Sequence, residues 1–163
     1  MSEPAVLRRM RHADLDELVA VQREGAVAGL ATIFPQDDYP FPTVDVRARW
    51  AREIDDPVYD CFVVLDDQQR IAGFAATRSD EFLHFGTALS TWGSGLAGRA
   101  HDAVLDHLQA GGFTRSWLRV FEGNHRARRF YERRGWTPTG TTSRTSFPPH
   151  PVLLEYARNL SAA

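Results

Sequence analysis

The segment Trp92-Gly93-Ser94-Gly95-Leu96-Ala97 restricts the folding of this chain more than any other. It follows a β-rich stretch, Phe82–Leu89, and precedes a helical pattern that runs to about Ala110, where Gly111-Gly112 stops it. A strand therefore turns sharply into a helix on glycines, which accept backbone angles that a Cβ disfavours. The first N–H groups of such a helix lack partners within it, and the peptide dipoles add positive potential there. The turn either makes a tight bend and nothing more, or cradles a phosphate, with a pyrophosphate as its natural ligand. It is not a P-loop, because no Lys-Ser/Thr ends it. It also lacks the acidic residue that a dinucleotide fingerprint carries about 20 positions on.

Around this turn the chain reads as alternating elements. Ala5–Arg9 is an opening strand. Asp14 is placed to cap a helix in which Leu15, Leu18, Val19, Gln22, Arg23 and Ala26 recur at helical spacing. Ile33–Pro42 holds Pro35, Pro40 and Pro42 and is a loop. Val44–Ile54 is a second helix, ended by Pro57. Cys61–Leu65 and Ile71–Thr77 flank the turn Asp66–Arg70 and pair as a hairpin. Ser116–Phe121 is a strand and Asn124–Arg134 a helix closed by Gly135. Trp136–Thr139 and Val152–Ala157 are short closing strands. The order predicts one mixed α/β domain, residues 1–163, with helices on both sides of a central sheet.

Composition narrows the function classes. A formal net charge of -2 gives no bulk attraction to nucleic acid. The run Arg126, Arg128, Arg129, Arg133, Arg134 is flanked and interrupted by Glu122 and Glu132 and reads as a solvated helix face. No apolar run is long enough to span a bilayer, and Met1-Ser2-Glu3-Pro4 lacks the blocks of a signal peptide. The single cysteine, Cys61, leaves no internal disulfide, so a cytoplasmic location is expected. Its neighbours Phe62 and Val63 make it a core thiol rather than a nucleophile. The six histidines show no His-x-x-x-His spacing, and no metal is assigned.

A second segment, Asn124-His125-Arg126-Ala127-Arg128-Arg129-Phe130-Tyr131, sits where a helix follows the strand Leu118–Phe121. Asn124 suits a helix cap, and equally a hydrogen bond to an amide-bearing ligand beside the strand end. Tyr131 suits core filling next to Phe130, and equally a positioned phenol that passes a proton.

With both segments in view, the chain resembles the GNAT superfamily of acetyl-CoA-dependent N-acetyltransferases. Members carry (Arg/Gln)-x-x-Gly-x-(Gly/Ala) before a central helix, and here Trp92-Gly93-Ser94-Gly95-Leu96-Ala97 stands. They also carry Asn-x-x-Ala-x-x-(Phe/Tyr)-Tyr-x-x-x-Gly-(Phe/Trp), matched by Asn124, Ala127, Phe130, Tyr131, Gly135 and Trp136. Two departures stand out. Trp92 replaces the usual Arg or Gln, and Phe85–Thr91 has Gly86 and no proline where a β-branched residue and proline are usual. A glycine inside a strand suggests a bulge there.

The resemblance implies a mostly antiparallel sheet and a site built from named residues. Backbone N–H groups of Gly93, Ser94, Gly95, Leu96, Ala97 and Gly98, with Trp92 before them, would hold the pyrophosphate of acetyl-CoA. Thr87, Ala88 and Leu89 would pair with the pantetheine arm, and Asn124 would bond it. Tyr131 would protonate the departing thiolate, giving CoA, and an N–H near Thr87 or Ala88 would hold the developing oxyanion. Arg99 or an arginine of the Asn124 helix would reach the 3′-phosphate.

For the base, Glu81 comes first, then His84, with a water chain also open. Odd spacing turns one of Glu81 and His84 away from the other's face. Phe34, Asp37, Asp38, Tyr39 and Phe41 either enclose a cationic amine or form an acidic surface loop, and Ser143–Pro151 is placed as a second wall. The acceptor class is a small-molecule amine or a peptide. A homodimer is compatible, and nucleic acid and membrane are not expected as partners. A CoA-binding regulatory module without turnover is the competing reading.

Overall fold

The computed structural model describes residues 4–160. Met1–Glu3, read above against a signal peptide, lie outside the described residues, as do 161–163. The elements follow the expected order. They are β1 (Leu7–Arg9), α1 (Leu15–Gly29), α2 (Thr43–Asp55), β2 (Tyr59–Leu65), β3 (Ile71–Arg78), β4 (Glu81–Thr87), α3 (Leu96–Ala110), β5 (Arg115–Phe121), α4 (His125–Glu132), β6 (Thr137–Arg144) and β7 (Val152–Asn159). One seven-stranded sheet has the order β1-β2-β3-β4-β5-β7-β6. Every pairing is antiparallel except β4 with β5, whose parallel register holds at a single position, Glu81 opposite Trp117.

The strands alternate between two cores because successive side chains leave a strand on opposite faces. Phe62, Ala75, Phe82, Leu118 and Val120 pack with Val104, Leu105 and Leu108 of α3 and Tyr131 of α4. On the other face Cys61, Val63, Leu65 and Ala76 pack with Leu15, Leu18 and Val19 of α1 and Val46 and Trp50 of α2. Helices therefore cover both faces, and Cys61 is a buried core thiol. No helix among the described residues is long and apolar enough to cross a membrane.

Some local expectations change. Asp14 does not cap α1 with its side chain. Its carboxylate accepts both Arg8 Nη atoms at 3.0 Å and the Arg11 N–H at 2.8 Å, tying β1 to the turn before α1. The closing strand β6 is longer than expected, because after a break at Gly140 it pairs again with β7 from Thr142 to Arg144.

Gly86 is not a bulge. It pairs with Phe74, whose ring lies where a Cβ would stand, 2.5 Å from Phe74 Cζ. The bulge is at Leu83: Ala76 pairs with His84, but Thr77 pairs with Phe82. Phe82 faces α3, and the extra residue turns His84 to the α1/α2 face. Glu81, the neighbour of Phe82 on the strand, also faces α1/α2. Glu81 and His84 thus share a face despite their odd spacing, contrary to the expectation from simple alternation.

Candidate active site

The parallel register of β4 and β5 ends after Glu81–Trp117, and the two strands then diverge. A cleft of about 730 Å³ opens between them and is closed by α1 and α4. Ala88 donates its N–H to Ala72 O at 2.7 Å, which fixes the phase of β4 against β3. Alternation then turns the backbone N–H and C=O of Phe85 and Thr87 away from β3, toward the gap left by β5. Trp92 Nε1 donates to the Thr87 O, and the rest of this backbone is an unpaired strand edge inside a cleft. Ala88 is corrected as an N–H donor to a ligand, because its N–H is spent within the sheet. Leu89 has left the strand for a short 3-10 turn, Leu89–Thr91.

At the mouth, Gly93 and Gly95 have φ of +83° and +89°, in the region that favours glycine. A Cβ at Gly93 would meet nothing within 4 Å, so the space before the turn is open. Gly95 precedes α3, and no side chain caps the helix. The Leu96 N–H reaches only Ser94 Oγ, at 3.3 Å, while Arg99 is the residue whose N–H reaches Gly95 O. The N–H groups of Ala97 and Gly98 therefore sit in the unpaired first turn. Arg134 Nη2 lies 2.7 Å from the position of a Cβ on Gly98, and Arg99 Nη1 lies 3.4 Å from one on Gly95. The chemistry of this set is that of an anion cradle: free N–H groups, a helix dipole and two guanidiniums.

Trp92 supplies a hydrogen bond of its own where Arg or Gln is usual. Its Nε1 donates to Thr87 O at 3.1 Å, and the Arg126 guanidinium stacks on its ring 3.6 Å from the centroid. Asn124 does cap α4, with Oδ1 accepting from Ala127 N at 3.2 Å. It also lines the cleft, so its amide nitrogen remains available to a ligand. Tyr131 lines the cleft too, and its hydroxyl bonds no described residue. Burial pushes its pKa well above the ordinary phenol value, so the phenol stays protonated.

The other end of the cleft, toward α1 and α2, is lined by Gln22, Phe74, His84 and Arg119. His84 Nε2 lies 3.1 Å from Glu53 Oε2, and its ring meets Trp50 edge-on at 5.0 Å. Burial lowers the His84 pKa, with Glu53 opposing the shift and Arg49 adding to it. The ring is thus neutral at pH 7. With Nε2–H donated to the Glu53 carboxylate, Nδ1 keeps its lone pair, and no described residue bonds it.

Glu81 does not line the cleft. It is 2% exposed, and its oxygens face Arg78 at 2.6 Å and Arg119 at 3.6 Å. Asp37 and Asp38 are exposed and Phe34 and Tyr39 half-buried, and none of them lines the cleft. Phe34 instead packs edge-on against Phe121 at 5.4 Å. The Arg49 guanidinium lies over the ring of Phe147, from the segment placed as a second wall, at 6.0 Å, and Phe147 does not line the cleft. The structure thus gathers Thr87, Trp92, Ala97, Asn124 and Tyr131 around one cleft with the Gly93–Gly98 turn at its mouth. It leaves Glu81 and the acidic loop outside. Glu53 and Arg119 escaped the sequence reading. Glu53 had left a signal: Val46, Trp50 and Glu53 recur at i, i+4 and i+7, which puts an acid on a buried helix face.

A sheet that splays between two parallel strands, with a glycine turn and an open helix start at its mouth, makes a cleft with an anion cradle at its entrance. The chain belongs to the acetyltransferase (GNAT) family, whose model matches residues 35–136. Solved structures share the fold at low identity. A GCN5-related N-acetyltransferase from Rhodopseudomonas palustris is 17% identical with a TM-score of 0.77, covering 98% of this chain and 97% of that one. Spermidine N-acetyltransferase from Vibrio cholerae, in complex with CoA and spermine, is 17% identical with a TM-score of 0.71, covering 94% of each chain. The ribosomal-protein-S18-alanine N-acetyltransferase from Escherichia coli is 20% identical with a TM-score of 0.69, covering 96% of this chain and 94% of that one. No curated protein matches the chain in sequence.

Proposed function

We propose that residues 1–163 form a single acetyltransferase domain that moves the acetyl group of acetyl-CoA directly to an amine held in the same cleft, releasing CoA. The acceptor is a small-molecule amine or a peptide. The observation that carries this reading is the pair of groups on the cleft wall: Tyr131, a buried neutral phenol, and His84, a buried neutral imidazole.

Acetyl-CoA supplies an activated acetyl thioester. The Gly93–Gly98 turn and Arg134 fit its pyrophosphate, because the N–H groups are unpaired and the space before Gly93 is open. The exposed edge of β4 at Phe85, together with Asn124, fits the amides of the pantetheine arm. The Thr87 N–H suits the oxyanion charge that develops on the acetyl carbonyl.

An amine arrives mostly as an ammonium. His84 Nδ1 takes its proton and passes it to solvent, with Glu53 steadying the ring as it charges. The amine nitrogen then bonds the acetyl carbon as the C–S bond breaks. Tyr131 protonates the sulfur, and the second amine proton restores the phenol through solvent. The net reaction converts ammonium and thioester into amide, thiol and one released proton.

Burial pushes the Cys61 thiol up to about 12, which agrees with direct transfer rather than a cysteine relay. The test is initial-velocity kinetics of CoA release with both substrates varied. Intersecting double-reciprocal lines are expected; parallel lines would contradict direct transfer. Tight acetyl-CoA binding without turnover on any amine would favour a CoA-binding module instead.

A further inference from the structure

We propose that the amine acceptor carries a carboxylate and that Arg119 receives it. This rests on the acetyl-transfer reading and names its substrate class. The cleft is lined by Arg119, Arg126, Arg129, Arg133 and Arg134 and, among the described residues, by no Asp or Glu. Four of the five belong to α4 or the turn after it, beside the cofactor end. Arg119 alone stands on β5. Its neighbours Leu118 and Val120 face α3 and α4, so Arg119 faces α1 and α2, as His84 does.

Arg119 has unspent recognition capacity. Its guanidinium hydrogen-bonds no described residue, and its nearest opposite charge is Glu81 Oε2 at 3.6 Å. Glu81 Oε1 already accepts Arg78 Nη2 at 2.6 Å. Glu155, directly opposite Arg119 on β7, accepts from Thr139 Oγ1 at 2.6 Å and makes no ion pair with Arg119, so N–H groups of the Arg119 guanidinium stay free. A planar guanidinium with free N–H groups matches a carboxylate in a two-pronged arrangement. A polyamine would instead bring a second cation against Arg119. The acids that would draw a polyamine are elsewhere: Asp37 and Asp38 are exposed outside the cleft, and Glu53 is bonded to His84 behind the wall. With its carboxylate at Arg119, an amino acid or ω-amino acid presents its amino group on the face where His84 lies.

The experiment measures CoA release by the full chain with acetyl-CoA and a panel of the α-amino acids, β-alanine and 4-aminobutyrate. Their methyl esters and spermidine complete the panel. A charge-assisted hydrogen bond predicts about 10- to 100-fold higher kcat/KM for the best acid than for its ester, mainly through KM. The ester's amine is the less basic, so amine ionisation alone favours the ester and works against the expected direction. Arg119→Gln collapses the difference by raising KM for the acid, with the ester and acetyl-CoA affinity unchanged.

The acid–ester comparison on the unaltered chain stands even if Arg119→Gln fails to fold. Equal use of acid and ester, or preference for spermidine, overturns the carboxylate proposal and leaves acetyl transfer intact. Acetyl-CoA binding without turnover of any acid also overturns it. A chain that binds no acetyl-CoA overturns the underlying reading as well.

Discussion

His84 Nε2 lies 3.1 Å from Glu53 Oε2, and this contact joins β4 to α2 beneath the acceptor end of the cleft. Burial lowers the His84 pKa and Glu53 partly restores it, so the acid limb of kcat against pH is expected below the ordinary histidine value of about 6.5. Activity rises with pH as the ring loses its proton. Glu53→Gln removes the restoring partner and moves the limb to lower pH. His84→Gln abolishes the limb and lowers kcat about 100-fold. A limb that survives His84→Gln unchanged assigns the base elsewhere.

Tyr131→Phe keeps the ring that packs against Phe130 and Trp136 and removes only the hydroxyl. Turnover should fall about 100-fold, within the range of general acid catalysis, with acetyl-CoA affinity unchanged. Single-turnover measurement separates this loss from slow product release. Full activity in Tyr131→Phe would remove the phenol from the chemistry.

Gly73 and Gly86 face each other's strands, and their substitution should differ in cost. A Cβ on Gly86 meets the Phe74 ring, which can rotate away. A Cβ on Gly73 meets the carbonyl oxygen of Gly86, which is backbone and cannot. Gly73→Ala should therefore cost about 3 kcal/mol, near the top of the usual overpacking range, and Gly86→Ala about 1 kcal/mol. Urea denaturation of the two variants checks the order. Gly86→Ala should also reshape the cleft, since Phe74 lines it.

A buried pair behind the site makes stability depend on pH. Trp136 Nε1 donates to His101 Nε2 at 3.0 Å, so His101 carries its proton on Nδ1, toward Asp102 Oδ1 at 3.0 Å. Burial lowers the His101 pKa, with Asp102 opposing. The folded state thus prefers the neutral ring. This stability is fully present above the unfolded value of about 6.5 and is lost as pH falls toward the lower folded value. His84 contributes in the same sense. His101→Leu orphans the Trp136 N–H, costing about 1–3 kcal/mol, and makes the fall in Tm from pH 7.5 to 5.5 shallower. An unchanged slope would show that His101 does not titrate in this range.

The element order was legible because it rests on local chemistry. Pro57 ends α2, glycines start and stop α3, and the apolar periods of α1 and β2 are clear. The anion cradle was legible for the same reason: Gly93, Gly95 and the helix they open are consecutive. The acceptor end was not. Simple alternation placed Glu81 and His84 on opposite faces, and only the bulge at Leu83, a feature of strand pairing, reunites them. Arg119 was not singled out within the strand Ser116–Phe121, because its place on the cleft depends on where β4 and β5 part. Asp37 and Asp38 looked functional by charge, but the loop that carries them folds over Phe121 and Gly123 at the end of β5.

The most direct test is calorimetric titration of acetyl-CoA into the unaltered chain and Gly95→Trp. A Cβ at Gly95 meets only the flexible end of Arg99, so the fold should survive at a cost of about 1–2 kcal/mol for the left-handed backbone. The bulky ring would then fill the cradle. The anion cradle predicts saturable binding by the unaltered chain and none by a folded Gly95→Trp. Equal affinity in the two proteins would contradict it.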